Sequence, residues 1–384
     1  FVDESGREAP LTELASAPPF ELTDADASRS ALRWRPAVPF DGETVQGAAL
    51  AGVIDALEAR RHLDAAMAAT LRRALARLDR DGRLDLSGER FALLGAGAEI
   101  APTRHLLEAG ATVLWCDRVP PPEALAAGPG RLVHAAGASD LLAVPDRVLS
   151  AEARFAEREG PVHLGSFAYG PGKGREWRLA AAMNAIARRL PSSALRSVGL
   201  YVSPTSPALL ALDEGRARAE RLEHAPLWQR SATALGALRM NRTPAQGPSV
   251  ADVVVPIQGV SYQAAQWLEK RLAMAALAAD RSELRVSANV APITQTHSLE
   301  HPVFKIAFRG APAFGVCAYP PAFTRTLSGL AYIEDVTGPA SSTFAEKHLH
   351  GGVFALPYAL ESAIRLAAVR GLFGPARTSH ARSP

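Results

Sequence analysis

A short apolar segment that ends in a glycine turn constrains the fold of this chain more than any other feature. Residues 89–97, ERFALLGAG, form a nearly continuous apolar run, as in strands buried on both faces of a parallel sheet. Gly95 and Gly97 then supply a tight turn, and we expect a helix from near Ala98 to about Glu108. A strand, a glycine turn and a helix in this order predict a βα unit of the kind that binds nucleotides.

The segments that follow continue this alternation of short apolar strands with helices. Further strands are expected at 111–118, 131–140, 161–170, 197–206, 283–292 and 314–320. Further helices are expected at 120–128, 176–190, 261–280, 326–335 and 352–370. Strands that alternate with helices form parallel sheets with helices on both faces. The predicted fold class is therefore α/β, a doubly wound, Rossmann-like parallel sheet.

The chain outside this pattern predicts a helical N-terminal extension and a C-terminal extension. Residues 1–88 comprise an irregular arm and a helical hairpin, because apolar residues recur at helical spacing over 44–80. Residues 89–340 form the nucleotide-binding domain, interrupted by an insertion at 207–250 that breaks the strand–helix rhythm. Residues 341–384 add a last helix and a polar tail that we expect to be disordered.

Charge and hydropathy exclude several classes of partner. The 42 basic and 39 acidic residues are mixed along the chain, and no basic block is interleaved with aromatic residues, so we expect no nucleic-acid partner. No segment approaches 18 uninterrupted apolar residues, and the first ten residues lack the regions of a signal peptide. Cys116 and Cys317 have neither metal-ligand nor CxxC spacing. We expect a cytoplasmic protein with buried thiols, no membrane contact and no metal.

An acidic residue ends the second strand, where a nucleotide site needs one. Asp117 lies roughly 20 residues beyond the glycine turn, the position of the acid that binds the adenosine ribose hydroxyls. A carboxylate there favours NAD(H), because it would repel the 2′-phosphate of NADP(H). Because Arg118 follows directly, NADP(H) is kept as the alternative cofactor. Glu99 suits the helix dipole but opposes a pyrophosphate, so we expect it to face a ribose or water.

Taken in order, these segments resemble a divergent short-chain dehydrogenase/reductase over about residues 90–300. The turn of that family is Gly-x-x-x-Gly-x-Gly. Here Gly95 and Ile100 match the family pattern, whereas Glu99 and Ala101 replace the later glycines.

Two further segments extend the resemblance along the cofactor. Asp140 and Leu141, after the third strand, resemble the aspartate that contacts adenine in that family and its neighbour. Pro292, Thr294 and Thr296 resemble the turn that lies over the nicotinamide. The resemblance therefore implies that both segments contact a nicotinamide cofactor.

The resemblance also implies a set of catalytic residues. Tyr262 matches the tyrosine that gives or takes the hydroxyl proton, and Ser203, with Ser206 as a substitute, matches the serine that orients the carbonyl. The lysine expected four residues after the tyrosine is replaced by Gln266, and Lys270 lies two helical turns beyond Tyr262. Without an adjacent cation, a phenol of pKa about 10 is a poor base at neutral pH.

A second tyrosine and lysine repeat the Tyr-x-x-x-Lys spacing in the loop after the fourth strand. Tyr169 and Lys173 lie in a Gly/Pro loop and not on a helix, so their side chains need not share a face. We expect the spacing itself to be coincidental. Ligands bind at the carboxyl ends of sheet strands, so both residues are still candidates for substrate contact.

His348 and His350 would point the same way on a strand, as metal ligands do. No third ligand with suitable spacing is evident, and a glycine pair follows directly. The pattern favours a polar loop with a glycine turn over a metal site.

The leading hypothesis is an NAD(P)-dependent oxidoreductase that acts on a small or medium organic carbonyl or alcohol. The resemblance also implies that such an enzyme forms a homo-oligomer. A methyltransferase that uses S-adenosylmethionine shares the strand, the GxG turn and the acid, and residues 314–332 could supply its closing antiparallel hairpin. The third alternative is a catalytically silent binding or scaffold protein, in which Gln266 and the lost glycines reflect loss of activity.

Overall fold

The computed structural model describes residues 7–11, 14, 17–25, 33–123, 125, 128–135, 139–210, 212–241, 250–300, 302–339 and 344–373. The strands are β1 (Leu22–Asp24), β2 (Ala37–Phe40), β3 (Glu43–Gln46), β4 (Arg90–Leu94), β5 (Thr112–Cys116), β6 (Arg131–Ala135), β7 (Val162–Ser166), β8 (Leu195–Val202), β9 (Arg285–Val290) and β10 (Phe344–Ala345). The helices are α1 (Leu50–Ala59), α2 (Ala65–Ala76), α3 (Thr103–Glu108), α4 (Pro145–Glu159), α5 (Arg175–Arg189), α6 (Leu212–Glu223), α7 (Leu227–Ala234), α8 (Gly259–Ala264), α9 (Ala273–Asp280), α10 (Pro302–Gly310), α11 (Pro321–Thr337) and α12 (Leu360–Leu372). A π-helical segment, Ala265–Leu272, joins α8 to α9.

One sheet organises the chain. Its strands lie in the order β1, β6, β5, β4, β7, β8, β9 and β10. β1 runs antiparallel to β6, and every other neighbouring pair is parallel. From β4 the chain builds outward through β5 and β6 and then returns to the other side of β4 with β7. The prediction of a doubly wound parallel sheet is confirmed.

Burial on both faces explains the unbroken apolar run of β4. Phe91 and Leu93 belong to the core shared with α1, α2, α3 and α11, whereas Ala92 and Leu94 belong to the core shared with α4, α5 and α9. Successive side chains of a strand point to opposite faces, so two helical layers require an apolar residue at every position.

The helix after the glycine turn begins later than expected. α3 starts at Thr103 and not near Ala98, and residues 95–100 form turns. Pro102 has no N–H to donate and disfavours helical backbone at the residue before it, so it stands at the helix start. The Thr103 hydroxyl donates to the Ala96 carbonyl over 2.5 Å and ties the helix start to the turn.

Residues 314–320 do not form the expected strand. Gly315 adopts φ +66°, and Tyr319 makes only an isolated bridge with Thr294. Prolines on both sides of this segment remove donors that a ladder would need. The antiparallel hairpin of a methyltransferase sheet is therefore not formed here, and the last strand is β10, parallel to β9.

The two extensions contribute strands as well as helices. The N-terminal arm, expected to be irregular, adds β1 against β6, while α1 and α2 form the expected helical hairpin. The last helix starts at Leu360, later than residue 352. The helix expected at 120–128 lies partly outside the described residues, and the tail at 374–384 lies wholly outside them. None of the described helices is both long enough and apolar enough to cross a bilayer.

A buried cluster of ionisable side chains joins the N-terminal extension, the insertion and the C-terminal segment. The His348 Nδ1 atom lies 3.3 Å from Asp64 Oδ2 and 3.6 Å from Glu214 Oε2, and its Nε2 atom lies 3.8 Å from Glu346 Oε1. The His350 Nε2 atom lies 3.1 Å from Glu214 Oε1. We call these five residues the His348 cluster. Within the described residues, no group of His, Cys, Asp and Glu side chains could hold a metal ion.

Glu152 on α4 should make stability depend on pH. Its side chain is fully buried, neither carboxyl oxygen has a hydrogen-bond partner among the described residues, and burial raises its pKa well above the ordinary value. The folded state then holds the proton more tightly than the unfolded state. Stability should fall as the pH rises above about 4.5, by up to about 1.4 kcal/mol per pH unit, until the raised pKa is passed.

Glu152→Gln should remove this fall, which urea unfolding at about pH 5, 7 and 8 would measure. Glu157→Gln, on the exposed side of the same helix, is the matched control and should leave the pH dependence of the wild type unchanged. A Glu152→Gln variant with the pH dependence of the wild type would refute this assignment.

Candidate functional site

The carboxyl edge of the sheet brings the loops after β4 and β7 into direct contact. The amides of Phe167 and Ala168 both donate to the Leu94 carbonyl, over 2.8 and 2.9 Å. Gly95 follows with φ +78°, and a Cβ atom there would collide with the backbone of Ala168. Gly95 is thus required by close approach of the β7 loop, at the point where strand order reverses and where such sheets bind ligands.

Asp117 holds the glycine turn in place through its carboxylate. The Gly97 amide donates to Asp117 Oδ2 over 2.9 Å, and the Val119 amide donates to Oδ1 over 3.3 Å. Asp117 is half-buried and Gly97 is exposed. A carboxylate offers about four acceptor positions, so two remain for hydroxyl groups of a ligand. Arg118, the next residue, is exposed.

The segment after β6 lies beside Asp117. The Ser139 amide donates to the Asp117 carbonyl over 3.1 Å, and the Asp140 carboxylate accepts from the Leu142 amide over 2.8 Å. Leu141 is buried and lines a surface cleft together with side chains of α5. The three residues expected at the adenosine end of the site, Asp117, Asp140 and Leu141, are therefore neighbours.

Glu99 is partly exposed and also forms hydrogen bonds with two other segments of the chain. Its carboxylate accepts from the His297 amide over 3.1 Å, which links the glycine turn to the segment after β9. Its carbonyl accepts from Arg325 Nε over 2.9 Å. Ile100 is half-buried and packs against the core. The turn is thus tied to the opposite wall of the site by a residue that carries a negative charge.

The donor and acceptor groups fit the adenosine half of a dinucleotide better than its pyrophosphate. Gly97 and Asp117 present an open turn with a carboxylate that retains acceptor positions. At the pyrophosphate position, the Gly97 amide is already engaged and Glu99 adds a negative charge. The described residues therefore suit the adenosine ribose of a dinucleotide, whereas the negative charge of Glu99 would repel its phosphates.

The turn after β9 stands next to the end of β8. The Ala291 amide donates to the Val202 carbonyl over 3.0 Å, which places Pro292 beside the loop after β8. The Thr294 hydroxyl donates to the Pro292 carbonyl over 2.9 Å and lies 2.7 Å from the hydroxyl of Thr324. Thr294 is buried, so its hydroxyl stabilises the turn itself.

Tyr262 meets two hydroxyl side chains at the end of β8. Burial raises the pKa of Tyr262, and the hydroxyls of Ser203 and Thr205, within hydrogen-bonding reach of the phenol, offset part of that rise. The Ser203 and Thr205 hydroxyls lie 2.8 Å apart. Tyr262 therefore stays protonated at neutral pH and is suited to donate a proton.

Gln266 and Lys270 both form hydrogen bonds with the backbone at the end of β8. Neither residue therefore supplies the positive charge beside Tyr262 that the resemblance would require. Gln266 Oε1 accepts from the Ser203 amide over 2.9 Å, and Lys270 Nζ donates to the Tyr201 carbonyl over 2.9 Å. Burial lowers the pKa of Lys270 to about 8. Both lie in the π-helical segment, a local widening of the helix that is frequent at functional sites. Gln266 thus positions the backbone of Ser203.

Tyr169 is a neighbour of Tyr262, whereas Lys173 has no such contact among the described residues. Burial raises the pKa of Tyr169 to about 12, and the neighbouring Tyr262 and Glu176 add to the rise. Lys173 is exposed at φ +55° between two glycines. Tyr169 is therefore kept as a candidate for substrate contact from the loop after β7, whereas the structure shows Lys173 only as an exposed residue of that loop.

Two residues of this site were not anticipated from the sequence. Glu176, in the first turn of α5, accepts from the Gly172 amide over 3.1 Å and lies 3.5 Å from the Ser261 hydroxyl. Thr205 pairs with Ser203 as described. An acidic residue in the first turn of a helix can be recognised from the sequence, because it suits the helix dipole. No local pattern indicates that Glu176 lies beside the loop that carries Tyr169. Ser206, the substitute serine, is fully buried, and its hydroxyl has no partner among the described residues.

Comparison with known proteins gives structural matches only. No protein-family model matches the chain, and no curated protein matches its sequence. A short-chain dehydrogenase/reductase of the glucose/ribitol dehydrogenase type from Brucella melitensis is 14% identical, with 70% of this chain and 98% of that chain covered and a TM-score of 0.43. A short-chain dehydrogenase/reductase from Serratia marcescens is 13% identical, with 70% and 99% covered and a TM-score of 0.45.

A further match is a D-mannonate oxidoreductase from Haemophilus influenza whose structure contains NAD. It is 11% identical, with 71% of this chain and 97% of that chain covered and a TM-score of 0.43. Values this low transfer no activity from these proteins to this chain, and the fold class rests on the strand order and register.

Proposed function

We propose that this protein is an NAD(H)-dependent oxidoreductase that reduces a small or medium organic carbonyl. The observation that carries the proposal is the position of the Tyr262 phenol beside the hydroxyls of Ser203 and Thr205, at the edge of the sheet that also bears the glycine turn and Asp117.

The state of Tyr262 favours reduction over oxidation. Its pKa is raised by burial, and the nearest lysine on its helix donates to the Tyr201 carbonyl. A phenol in this state donates a proton to a carbonyl oxygen more readily than it removes one from an alcohol. Ser203 would orient the carbonyl, and the bound nicotinamide would supply the hydride.

The choice of NAD(H) rests on Asp117. Its carboxylate keeps acceptor positions free for the two hydroxyls of the adenosine ribose, and a 2′-phosphate there would meet a like charge. NADP(H) is the alternative, because Arg118 is exposed directly after Asp117 and carries a positive charge that would attract such a phosphate.

Calorimetric titration of the purified protein with NADH, NADPH and S-adenosylmethionine tests the proposal directly. We expect NADH to bind most tightly. If neither nicotinamide bound at millimolar concentration, the proposal would be wrong, and binding of S-adenosylmethionine alone would favour the methyltransferase.

Asp117→Asn should weaken NADH binding by about 10- to 100-fold. The substitution removes a charged acceptor, which contributes roughly 1.5–3 kcal/mol, yet leaves an oxygen for the Gly97 amide. Glu123→Gln, which removes a carboxylate from an exposed position after β5, is the comparison variant and should leave the Kd unchanged. The measurement is the Kd for NADH by calorimetry, and an unchanged Kd in Asp117→Asn would refute the ribose assignment.

Glu99→Gln should tighten NADH binding about fivefold. Glutamine can still accept from the His297 amide, but the negative charge near the phosphates is lost, a change of roughly 1 kcal/mol at this partly exposed position. Glu300→Gln removes the same charge from a more exposed site nearby and is the control. Equal Kd values for Glu99→Gln and the wild type would mean that the phosphates do not approach Glu99.

A further inference from the structure

The helix that carries Tyr262 also holds the two hydroxyl residues that face it. Gln263, the next residue along the chain, donates from Nε2 to the Thr205 carbonyl over 3.1 Å. Gln266, one turn further, accepts from the Ser203 amide. Side chains three positions apart share one face of a helix, so this face fixes the backbone of both hydroxyl residues against the helix. The distance from the phenol to these hydroxyls therefore does not depend on a free loop.

The hydrogen bonds between Ser203 and Thr205 indicate which hydroxyl is left for Tyr262. The Thr205 amide donates to Ser203 Oγ over 3.2 Å, and the two hydroxyl oxygens lie 2.8 Å apart. A hydroxyl has one proton and two lone pairs, so the amide occupies one acceptor position of Ser203 and polarises its hydroxyl for donation. Ser203 is thus favoured as the donor within the pair. The Thr205 proton then remains for the phenolic oxygen, and Thr205 is only 7% exposed, so little water competes for it.

The titratable groups that act on Tyr262 include no cation among the described residues. Burial raises the pKa of the Tyr262 phenol, the two hydroxyls lower it, and Glu176 in the first turn of α5 raises it. Tyr169, from the loop after β7, is neutral because its pKa is raised to about 12. Lys270, on the same helix as Tyr262, donates to a strand carbonyl instead. A phenolate left by proton donation would therefore depend on the hydroxyl groups for stabilisation of its charge.

We propose that Thr205 takes over the task of the missing lysine: its hydroxyl donates to the phenolic oxygen of Tyr262 and stabilises the phenolate that proton donation leaves. This inference rests on the proposed function. In reduction, the carbonyl carbon accepts hydride from the nicotinamide, the carbonyl oxygen takes the Tyr262 proton, and a proton from solvent then restores the phenol. Ser203 can turn its own hydroxyl to the substrate, because the Thr205 amide still donates to its oxygen. The two hydroxyls thus have separate roles: Ser203 binds the carbonyl, and Thr205 binds the phenolate.

Thr205→Val tests the proposal, because valine keeps the shape of threonine and lacks its hydroxyl. The kcat for carbonyl reduction should fall about 10- to 100-fold and the pKa of Tyr262 should rise by about one to two units, the range expected for a hydrogen bond to a charged group. Thr205→Ser retains the hydroxyl and should restore most of both values. Thr112→Val, at the amino end of β5 on the opposite edge of the sheet, is the matched control and should change neither.

The pKa of Tyr262 can be measured without cofactor or substrate. A difluorinated tyrosine, incorporated in place of tyrosine, has a more acidic phenol and so moves the titration to lower pH. Fluorine NMR then follows the titration, and the Tyr262 signal is identified by its absence from Tyr262→Phe. Thermal unfolding shows whether the variants remain folded. If Thr205→Val does not fold, Thr205→Ala removes the same hydroxyl with a smaller side chain.

Two results would overturn the proposal: an unchanged pKa of Tyr262 in Thr205→Val, or the same loss of kcat in Thr205→Ser as in Thr205→Val. The proposed function and the role of Thr205 fail separately. A raised pKa in a protein that reduces no carbonyl would keep the hydrogen bond and remove the proposed function. Turnover by the wild type that Thr205→Val leaves unchanged would keep the proposed function and remove the role of Thr205.

Discussion

Replacement of Tyr262 by phenylalanine should lower kcat for carbonyl reduction by about 10²- to 10⁴-fold, the usual contribution of a positioned proton donor. The Kd for NADH should not change, because only the phenolic oxygen is removed from a ring that stays packed. Tyr169→Phe is the matched control, since it removes the same atom from the neighbouring ring; we expect it to change KM more than kcat. The measurement is steady-state oxidation of NADH with a series of alkyl carbonyl compounds.

The pH profile separates proton donation from a merely structural role of Tyr262. A proton donor is active below its pKa, and the pKa of Tyr262 is raised, so kcat for reduction should stay level through neutral pH and fall only in the alkaline range. An unchanged kcat in Tyr262→Phe would remove this residue as the proton donor. NADH binding without turnover of any carbonyl by the wild type would favour the catalytically silent alternative.

The sheet could be predicted from the sequence because its signals are local. The central parallel strands are buried on both faces, so residues such as Phe91 to Leu94 form a continuous apolar run that can be recognised in the sequence itself. The start of α3 was missed although its signal was present, because Pro102 belongs at the start of a helix. At 314–320, apolar residues suggested a strand, but a strand also needs a partner with free donors and acceptors, which no local pattern specifies.

The candidate site was predictable in part for the same reason. Asp117 and Gly97 lie on consecutive elements whose order implies that they meet, and their hydrogen bond follows from that order. The contact between Glu99 and His297 joins residues almost 200 positions apart, so spacing could not reveal it. Gln266 was recognised only as a missing lysine, whereas its observed role is to accept from the Ser203 amide.

The His348 cluster depends still more on tertiary structure, because its members come from the start of α2, from α6 and from the segment after β10. The sequence suggested a polar loop at His348 and His350 but gave no sign of three carboxylates around one imidazole. Burial would lower the pKa of His348, but Glu214, Glu346 and Asp64 outweigh it and raise the pKa to about 9. One protonated imidazole therefore neutralises part of a buried acidic group.

This arrangement should make the protein lose stability in alkaline solution. Because the pKa of His348 is higher in the folded state than its ordinary value of 6.5, its contribution is fully present below about pH 6.5 and is lost as the pH rises through about 9. The difference corresponds to roughly 3 kcal/mol. His348→Gln should lower the free energy of unfolding at neutral pH by about 3–5 kcal/mol, because it removes the imidazolium that lies between the buried carboxylates of Asp64 and Glu214.

Urea unfolding of the wild type and of His348→Gln between about pH 6 and 9 would test both statements, with His224→Gln as the control on the exposed end of α6. The two curves should converge as the pH approaches 9, because deprotonation of the wild type then removes the same cation that the substitution removes. Parallel curves would mean that His348 is neutral in the folded protein and that the buried carboxylates hold the proton. Convergence would identify the cluster as an ionic contact that joins the N-terminal extension, the insertion and the C-terminal segment only while the imidazole is charged.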